Sequence, residues 1–173
     1  GAPLDQILKR EGKLNLFRIL DLGRQTARGL AAAHKRGLIH RDIKPANLWV
    51  EPTEDGERIK VLDFGLAKSL EEDVKLTQSG AMLGTPAFMS PEQVNGESVD
   101  TRTDLFSLGC VLYYLSSGEL PFRSESLSAT MYAVCHHSPR AVQELNADVP
   151  SALGDLIKQL LSKSASDRPP SAE

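Results

Sequence analysis

Two short stretches hold the side chains whose types and spacing suit chemistry. His40-Arg41-Asp42-Ile43-Lys44-Pro45-Ala46-Asn47 sets Asp42 and Asn47 five positions apart, with Lys44 between them and Pro45 stiffening the bend. Asp63-Phe64-Gly65 follows, with Asp63 sixteen residues after Asn47. Magnesium takes hard oxygen ligands in octahedral geometry, keeps several waters and completes its shell with phosphate oxygens. One carboxylate, Asp63, and one carboxamide oxygen, on Asn47, suit that arrangement better than a closed protein cage. The plainer alternative is a loop whose Asp and Asn only cap turns.

For these groups to meet, the elements around them must bring them together. The first stretch lies between the apolar runs Leu38-Ile39 and Leu48-Trp49-Val50, so it reads as a loop between two short strands. A further strand is expected over Ile59–Leu62. The polar run from Glu51 to Arg58, with its Asp55-Gly56 pair, reads as the exposed turn of a hairpin that sets Asn47 beside Asp63.

The flanking segments show helical periodicity. Pro3–Arg10 carries Leu4, Ile7 and Leu8 on one face, with Gly12 just beyond. Asn15 can cap a helix to about Arg36, whose buried face carries Leu16, Ile19, Leu20, Ala27, Leu30, Ala31 and His34 before Gly37 stops it. His34 reads as a packed or hydrogen-bonded histidine. Arg102–Ser117 is apolar nearly all round, which predicts a central helix with Asp104 in its first turn. Ser124 or Ser126 can start a helix to about His137, and Ser151–Lys163 is amphipathic through Leu153, Leu156, Ile157, Leu160 and Leu161. Leu66–Ser90 is polar and weakly periodic, with hydroxyls at Ser69, Thr77, Ser79 and Thr85, as functional loops often are.

The order H-R-D-x-K-x-x-N followed by D-F-G resembles the protein kinases. Gly84-Thr85-Pro86-Ala87-Phe88-Met89-Ser90-Pro91-Glu92 is similar to the end of a kinase activation segment; Ser90 replaces the Ala of the usual A-P-E, and Phe88 a frequent Tyr. The implied fold is mainly α with a few short β-hairpin strands, the C-terminal lobe of a two-lobed α+β domain, spanning 1–173.

The resemblance also implies roles. Asp42 would accept the proton of the attacking hydroxyl, and Lys44 would steady charge on the transferred phosphoryl group. Asn47 and Asp63 would hold Mg2+ against the phosphates of ATP. Lys44 and the Gly84-Thr85 pair resemble the serine/threonine branch, with Thr85 lining the floor for a substrate hydroxyl and protein Ser/Thr side chains as acceptors. Trp49 stands under the expected adenine ring, although a core Trp on a strand would occupy the same place. Arg41 suggests regulation, with phosphate on Thr77 or Ser79 as its bidentate partner. His40 and Phe64, stacked over Asp104, would form part of the internal apolar spine. Asp104, in a D-x-[WFY]-S-x-G pattern, would either hold the His40-Arg41 backbone or only cap its own helix. Arg168 would form a buried ion pair with Glu92.

Composition narrows the rest. A length of 173 residues suits one domain, and 40% hydrophobic content with a net charge of −3 is ordinary for a globular protein. No Lys/Arg stripe suggests a nucleic-acid partner. Cys110 and Cys135 lack metal-ligand spacing and read as free thiols of a reducing cytosol. His136-His137 would point apart on a helix. Cytoplasmic location is expected, with any membrane anchor of the parent protein outside this stretch.

Half of the kinase signature is missing. No G-x-G-x-x-G occurs, no V-A-I-K-like strand is present, and Gly12-Lys13 is followed by Leu14 rather than a Walker Ser or Thr. The expectation is therefore a chain without the N-terminal lobe or the last helix, weak in binding nucleotide and inactive alone. Its open surface around Trp49 and Phe64 would favour self-association or domain exchange. Two rivals use the same resemblance differently: a pseudokinase scaffold, against which Asp42, Lys44, Asn47 and Asp63 all stand intact, and a small-molecule kinase of related fold.

Overall fold

Apolar side chains at helical spacing, punctuated by Asn, Asp and Ser caps, give a mainly helical chain with one small sheet. The computed structural model describes residues 1–64 and 86–173. Gly65, Thr77, Ser79, Gly84 and Thr85 lie outside the described residues. In chain order come β1 (Ala2–Pro3), α1 (Leu4–Glu11), α2 (Leu16–His34), β2 (Leu48–Thr53), β3 (Gly56–Val61), α3 (Pro91–Val94), α4 (Thr101–Ser117), α5 (Leu127–His136), α6 (Val142–Leu145) and α7 (Ser151–Leu160). Short 3-10 turns cover Pro45–Asn47, Pro86–Phe88 and Ala165–Asp167. Among the described residues no helix is long and apolar enough to cross a membrane.

The caps fall where hydrogen-bonding side chains precede apolar runs. Asn15 Oδ1 accepts from the Arg18 amide at 2.9 Å, Asp100 Oδ1 from the Arg102 amide at 2.8 Å, and Ser126 Oγ from the Ala129 amide at 3.1 Å. Helix α4 is the centre of the core, with Leu105, Phe106, Leu108, Cys110, Val111, Leu112 and Leu115 all buried. Its close packing depends on Gly109, where a Cβ would lie 2.7 Å from Leu160 Cβ and 3.1 Å from Leu161 Cδ2. Gly23 serves α2 in the same way, since a Cβ there would sit 2.7 Å from Leu112 Cδ2.

The sheet is antiparallel with strand order β1-β2-β3. Its hairpin is longer than the apolar residues suggest, because the ladder runs from Leu48↔Val61 to Thr53↔Gly56 through the polar residues expected as loop. Side chains of α2 stabilise that polar ladder. Arg18 grips both Glu57 carboxylate oxygens at 2.8 Å, and Gln25 accepts from the Ile59 amide and donates to the Glu57 carbonyl, each at 2.9 Å. Pro52 is tolerated in β2 because β1 pairs only with Trp49 and Val50, leaving Pro52 at an open edge.

Leu38-Ile39 is not a strand. The Leu38 amide turns back to the Ala33 carbonyl at 3.1 Å and the Gly37 amide to the His34 carbonyl at 2.9 Å, closing α2 in a Schellman motif with Gly37 at φ 73. With the amides of His40 and Arg41 also engaged elsewhere, no ladder forms, and Leu38 stays 51% exposed.

Candidate active site

Four elements converge on the loop from His40 to Asn47, and each contributes a side chain or a backbone edge. From α4, Asp104 is fully buried and reaches out of its own helix. Its Oδ2 accepts from the His40 amide at 2.9 Å and its Oδ1 from the Arg41 amide at 2.8 Å. The N-cap of that helix is Asp100, so of the two roles open to Asp104 the geometry selects the loop. His34, near the end of α2, sets Nε2 at 2.7 Å from Asp104 Oδ2, which makes it the hydrogen-bonded histidine expected.

These bonds hold an unfavourable backbone. Arg41 has φ 68, in the left-handed region where non-glycine residues cost roughly 1–3 kcal/mol. The Arg41 carbonyl accepts from Gln93 Nε2 at 2.7 Å, so the residue is pinned on both sides. The Arg41 side chain is exposed.

His40 is buried and ties the loop to the end of β3. Its Nε2 lies 2.6 Å from the Leu62 carbonyl, an acceptor only, so Nε2 carries the proton and Nδ1 accepts from the Asp42 amide at 3.2 Å. Phe64 meets His40 edge-on, with ring centroids 4.7 Å apart and planes at 73°, rather than stacked, and it is 37% exposed. Asp104 touches the backbone of His40, not its ring, so the expected stack over Asp104 is not formed.

Asp42 and its neighbours form the reactive cluster. Lys44 Nζ lies 2.8 Å and Asn47 Nδ2 2.9 Å from the same oxygen, Asp42 Oδ2, and Asn47 Nδ2 also donates to the Asp42 carbonyl at 2.8 Å. The Asp42 side chain stays 45% exposed while that of Lys44 is 20% exposed, so the carboxylate is oriented from within and open to solution. With its nitrogen turned to Asp42, the Asn47 side-chain oxygen makes no hydrogen bond among the described residues. The Asn47 main-chain carbonyl accepts from the Leu62 amide at 2.9 Å, continuing the hairpin ladder by one step. That register puts Asp63 one residue beyond Leu62, the partner of Asn47, with φ 60, a conformation Asp tolerates better than most residues.

The donor chemistry fits magnesium: a carboxamide oxygen on half-buried Asn47 and the carboxylate of exposed Asp63 are both hard ligands. Among the described residues no group of three or more His, Cys, Asp or Glu is placed to hold a metal ion alone. Trp49 lies half-buried on β2, opposite Lys60 and Pro3, a placement common to both of its readings.

The segment after Pro86 is anchored from below. Arg168 makes a bidentate pair with Glu92, Nη1 to Oε1 at 2.7 Å and Nη2 to Oε2 at 2.9 Å, as expected. Its remaining donors reach the carbonyls of Ser162, Arg102 and Lys163, and its guanidinium stands 4.9 Å over the Phe106 ring. Thr103 Oγ1 adds a bond to Glu92 Oε1 at 2.7 Å. Burial alone would push the Glu92 carboxyl up, but the bonds from Arg168 and Thr103 hold it down at about 2.

Ser90, the departure from A-P-E, caps α3 in a capping box with Gln93. The Ser90-x-x-Gln93 pattern is visible in the sequence. The other end of the Gln93 amide, on Arg41, is not.

Comparison with known proteins follows the same lines. A family model described as the protein kinase domain matches residues 1–173. The chain is 42% identical over its whole length to the serine/threonine-protein kinase pkn3 of Myxococcus xanthus, covering 33% of that protein. It is 33% identical to the serine/threonine-protein kinase PknB of Mycobacterium leprae, with 97% of this chain and 26% of that one aligned. Against the serine/threonine-protein kinase PknA of Mycobacterium tuberculosis it is 36% identical, over 97% of this chain and 37% of the relative. The chain thus spans between about a quarter and somewhat over a third of these relatives.

Proposed function

This chain belongs to the protein kinase domain family, and on that footing we propose that it carries the catalytic loop of an enzyme that transfers the γ-phosphoryl group of ATP to protein serine or threonine hydroxyls. The observation that supports this best is the Asp42 cluster. One carboxylate oxygen is held by Lys44 and Asn47 at 2.8 and 2.9 Å, while the side chain as a whole remains half open.

In this reading Asp42 orients the substrate hydroxyl and accepts its proton as the oxygen attacks phosphorus. Lys44, beside Asp42 Oδ2, moves toward the developing negative charge of the transferred group. The carboxamide oxygen of Asn47 and the carboxylate of Asp63 would be the protein ligands for magnesium. Bound there, the metal supplies charge neutralisation for the phosphate oxygens. Trp49 offers an apolar face to the adenine, and Thr85 lines the floor under the acceptor hydroxyl. Phosphate on Thr77 or Ser79 would find the exposed Arg41 guanidinium.

The finer reading is that these residues form the C-terminal lobe alone. Its support is that the 173 residues contain neither a G-x-G-x-x-G nor a V-A-I-K-like strand, so the groups covering the ATP phosphates come from another part of the parent protein. The face bearing Trp49 and the partly exposed Phe64 is where that part would dock. The isolated chain is then expected to bind nucleotide weakly, to be inactive and to self-associate through this face.

The test is magnesium-dependent phosphorylation of a Ser/Thr peptide by the full-length protein. Asp42→Asn removes the proton acceptor but keeps the shape, and the expected loss in kcat is about 10²–10⁴-fold. An unchanged rate in that variant rules the reading out.

A further inference from the structure

The Arg41–Asp42 peptide carries the proposed proton acceptor, and it is gripped at both ends. Its N–H, on Asp42, reaches His40 Nδ1 at 3.2 Å, and its carbonyl, on Arg41, accepts from Gln93 Nε2 at 2.7 Å. The preceding N–H, on Arg41, is held by Asp104 at 2.8 Å. Rotation of this peptide would swing Asp42 away from Lys44 and Asn47. With Arg41 at φ 68, the backbone by itself favours such a rotation.

Gln93 belongs to a different part of the molecule. It lies on α3, the short helix whose Glu92 is bolted to Arg168. Its Oε1 accepts from the Ser90 amide at 3.1 Å and faces the Ser90 hydroxyl at 3.4 Å. That fixes the amide's orientation, since turning it over would set oxygen against the Arg41 carbonyl and nitrogen against the Ser90 amide. A single side chain therefore closes a capping box at one end and reaches 52 residues back in sequence with the other.

On the phosphoryl-transfer reading above, we propose that Gln93 is a positioning residue: its carboxamide ties α3 to the Arg41 carbonyl and fixes the peptide that aims Asp42. Any shift of α3 is thereby transmitted to the Asp42 carboxylate without passing through the substrate. Gln93 touches neither ATP nor the acceptor hydroxyl.

Two substitutions separate the tie from the cap. Gln93→Glu keeps the length and the acceptor of the capping box, which Glu serves as well as Gln, but replaces the donor with an oxygen facing the Arg41 carbonyl. Ser90→Ala removes the capping hydroxyl and leaves the Ser90 amide to hold Gln93. In the full-length protein, Gln93→Glu is expected to lower kcat about tenfold, as loss of a well-made hydrogen bond would. KM for ATP and peptide should hold, and the thermal midpoint should fall modestly because a hydrogen bond is lost. Ser90→Ala should lower the midpoint and keep kcat.

Wild-type kcat in Gln93→Glu overturns the proposal, and so does an equal fall in kcat in Ser90→Ala. Hydrogen exchange of the peptide spanning residues 40–47 judges the tie without any activity. Faster exchange in Gln93→Glu is expected, and unchanged exchange refutes the tie. Should the wild-type protein transfer no phosphate at all, the kinase reading fails while this exchange comparison still decides the role of Gln93.

Discussion

Glu92 and Asp104 are both buried carboxylates that bind partners far away in sequence, yet they do different work. Glu92 faces a guanidinium whose donors are all engaged, so the charge is neutralised where it lies. Among the described residues Asp104 meets no arginine or lysine. It faces two backbone amides and a histidine, so its charge goes into holding a loop in a conformation that the loop would not choose. The first arrangement staples two ends of the chain, and the second sets a dihedral angle. Asp42, one loop residue further, differs from both, with one oxygen engaged and the side chain half open. Burial and full satisfaction mark the groups that hold, and partial satisfaction marks the group free to react.

Arg168→Ala tests the staple most severely. It leaves the Glu92 carboxylate buried without its cation, a loss of about 3–5 kcal/mol in unfolding free energy. Urea denaturation measures it, and a loss below about 1 kcal/mol would place the pair with ordinary surface bridges.

Asp104→Asn sharpens the contrast. An amide nitrogen is turned toward a backbone N–H that needs an acceptor, at a cost of about 1.5–3 kcal/mol. In the full-length protein, kcat should fall by a larger factor than Arg168→Ala produces at matched fraction folded. Equal effects would erase the distinction between stapling and positioning.

Acid tests the Glu92 staple from another side. Glu92 is held at about 2 in the folded chain against an ordinary 4.5. Because the folded value is depressed, its contribution to stability is complete above about pH 4.5 and drains away as pH falls toward 2. Arg168→Ala should flatten that part of the stability–pH curve, and an unaltered curve would assign the acid response to other groups.

The smallest expected effect is at Asp100. Its replacement by alanine removes the cap of α4 and should cost about 0.5–2 kcal/mol by thermal unfolding, with kcat unchanged. A fall in kcat there would mean that α4 transmits its N-terminal strain to Asp104.

Much of the fold is legible as pattern. The periodicity of Leu16–His34 and Arg102–Ser117, and Asn15 before the first, announce helices because a helix satisfies its own backbone and needs only one apolar stripe to settle. The hairpin is less legible. Its outer half is polar, and the side chains that make it a ladder, Arg18 and Gln25, sit on another element. Leu38-Ile39 misleads for the opposite reason: two apolar residues suggest a strand, but their neighbours' amides are already bound to α2 and Asp104.

By itself the amino-acid order determined the chemical inventory: which carboxylates, amides and cations exist, the short spacing of Asp42, Lys44 and Asn47, and the helices that surround them. Only the tertiary structure decided which of those groups meet. The partners of Asp104, Glu92 and Arg41 lie 64, 76 and 52 residues away, and no local pattern encodes such a distance. It also decided that Arg41 and Asp63 adopt positive φ, since a strained backbone angle persists only where contacts from several elements outweigh its cost.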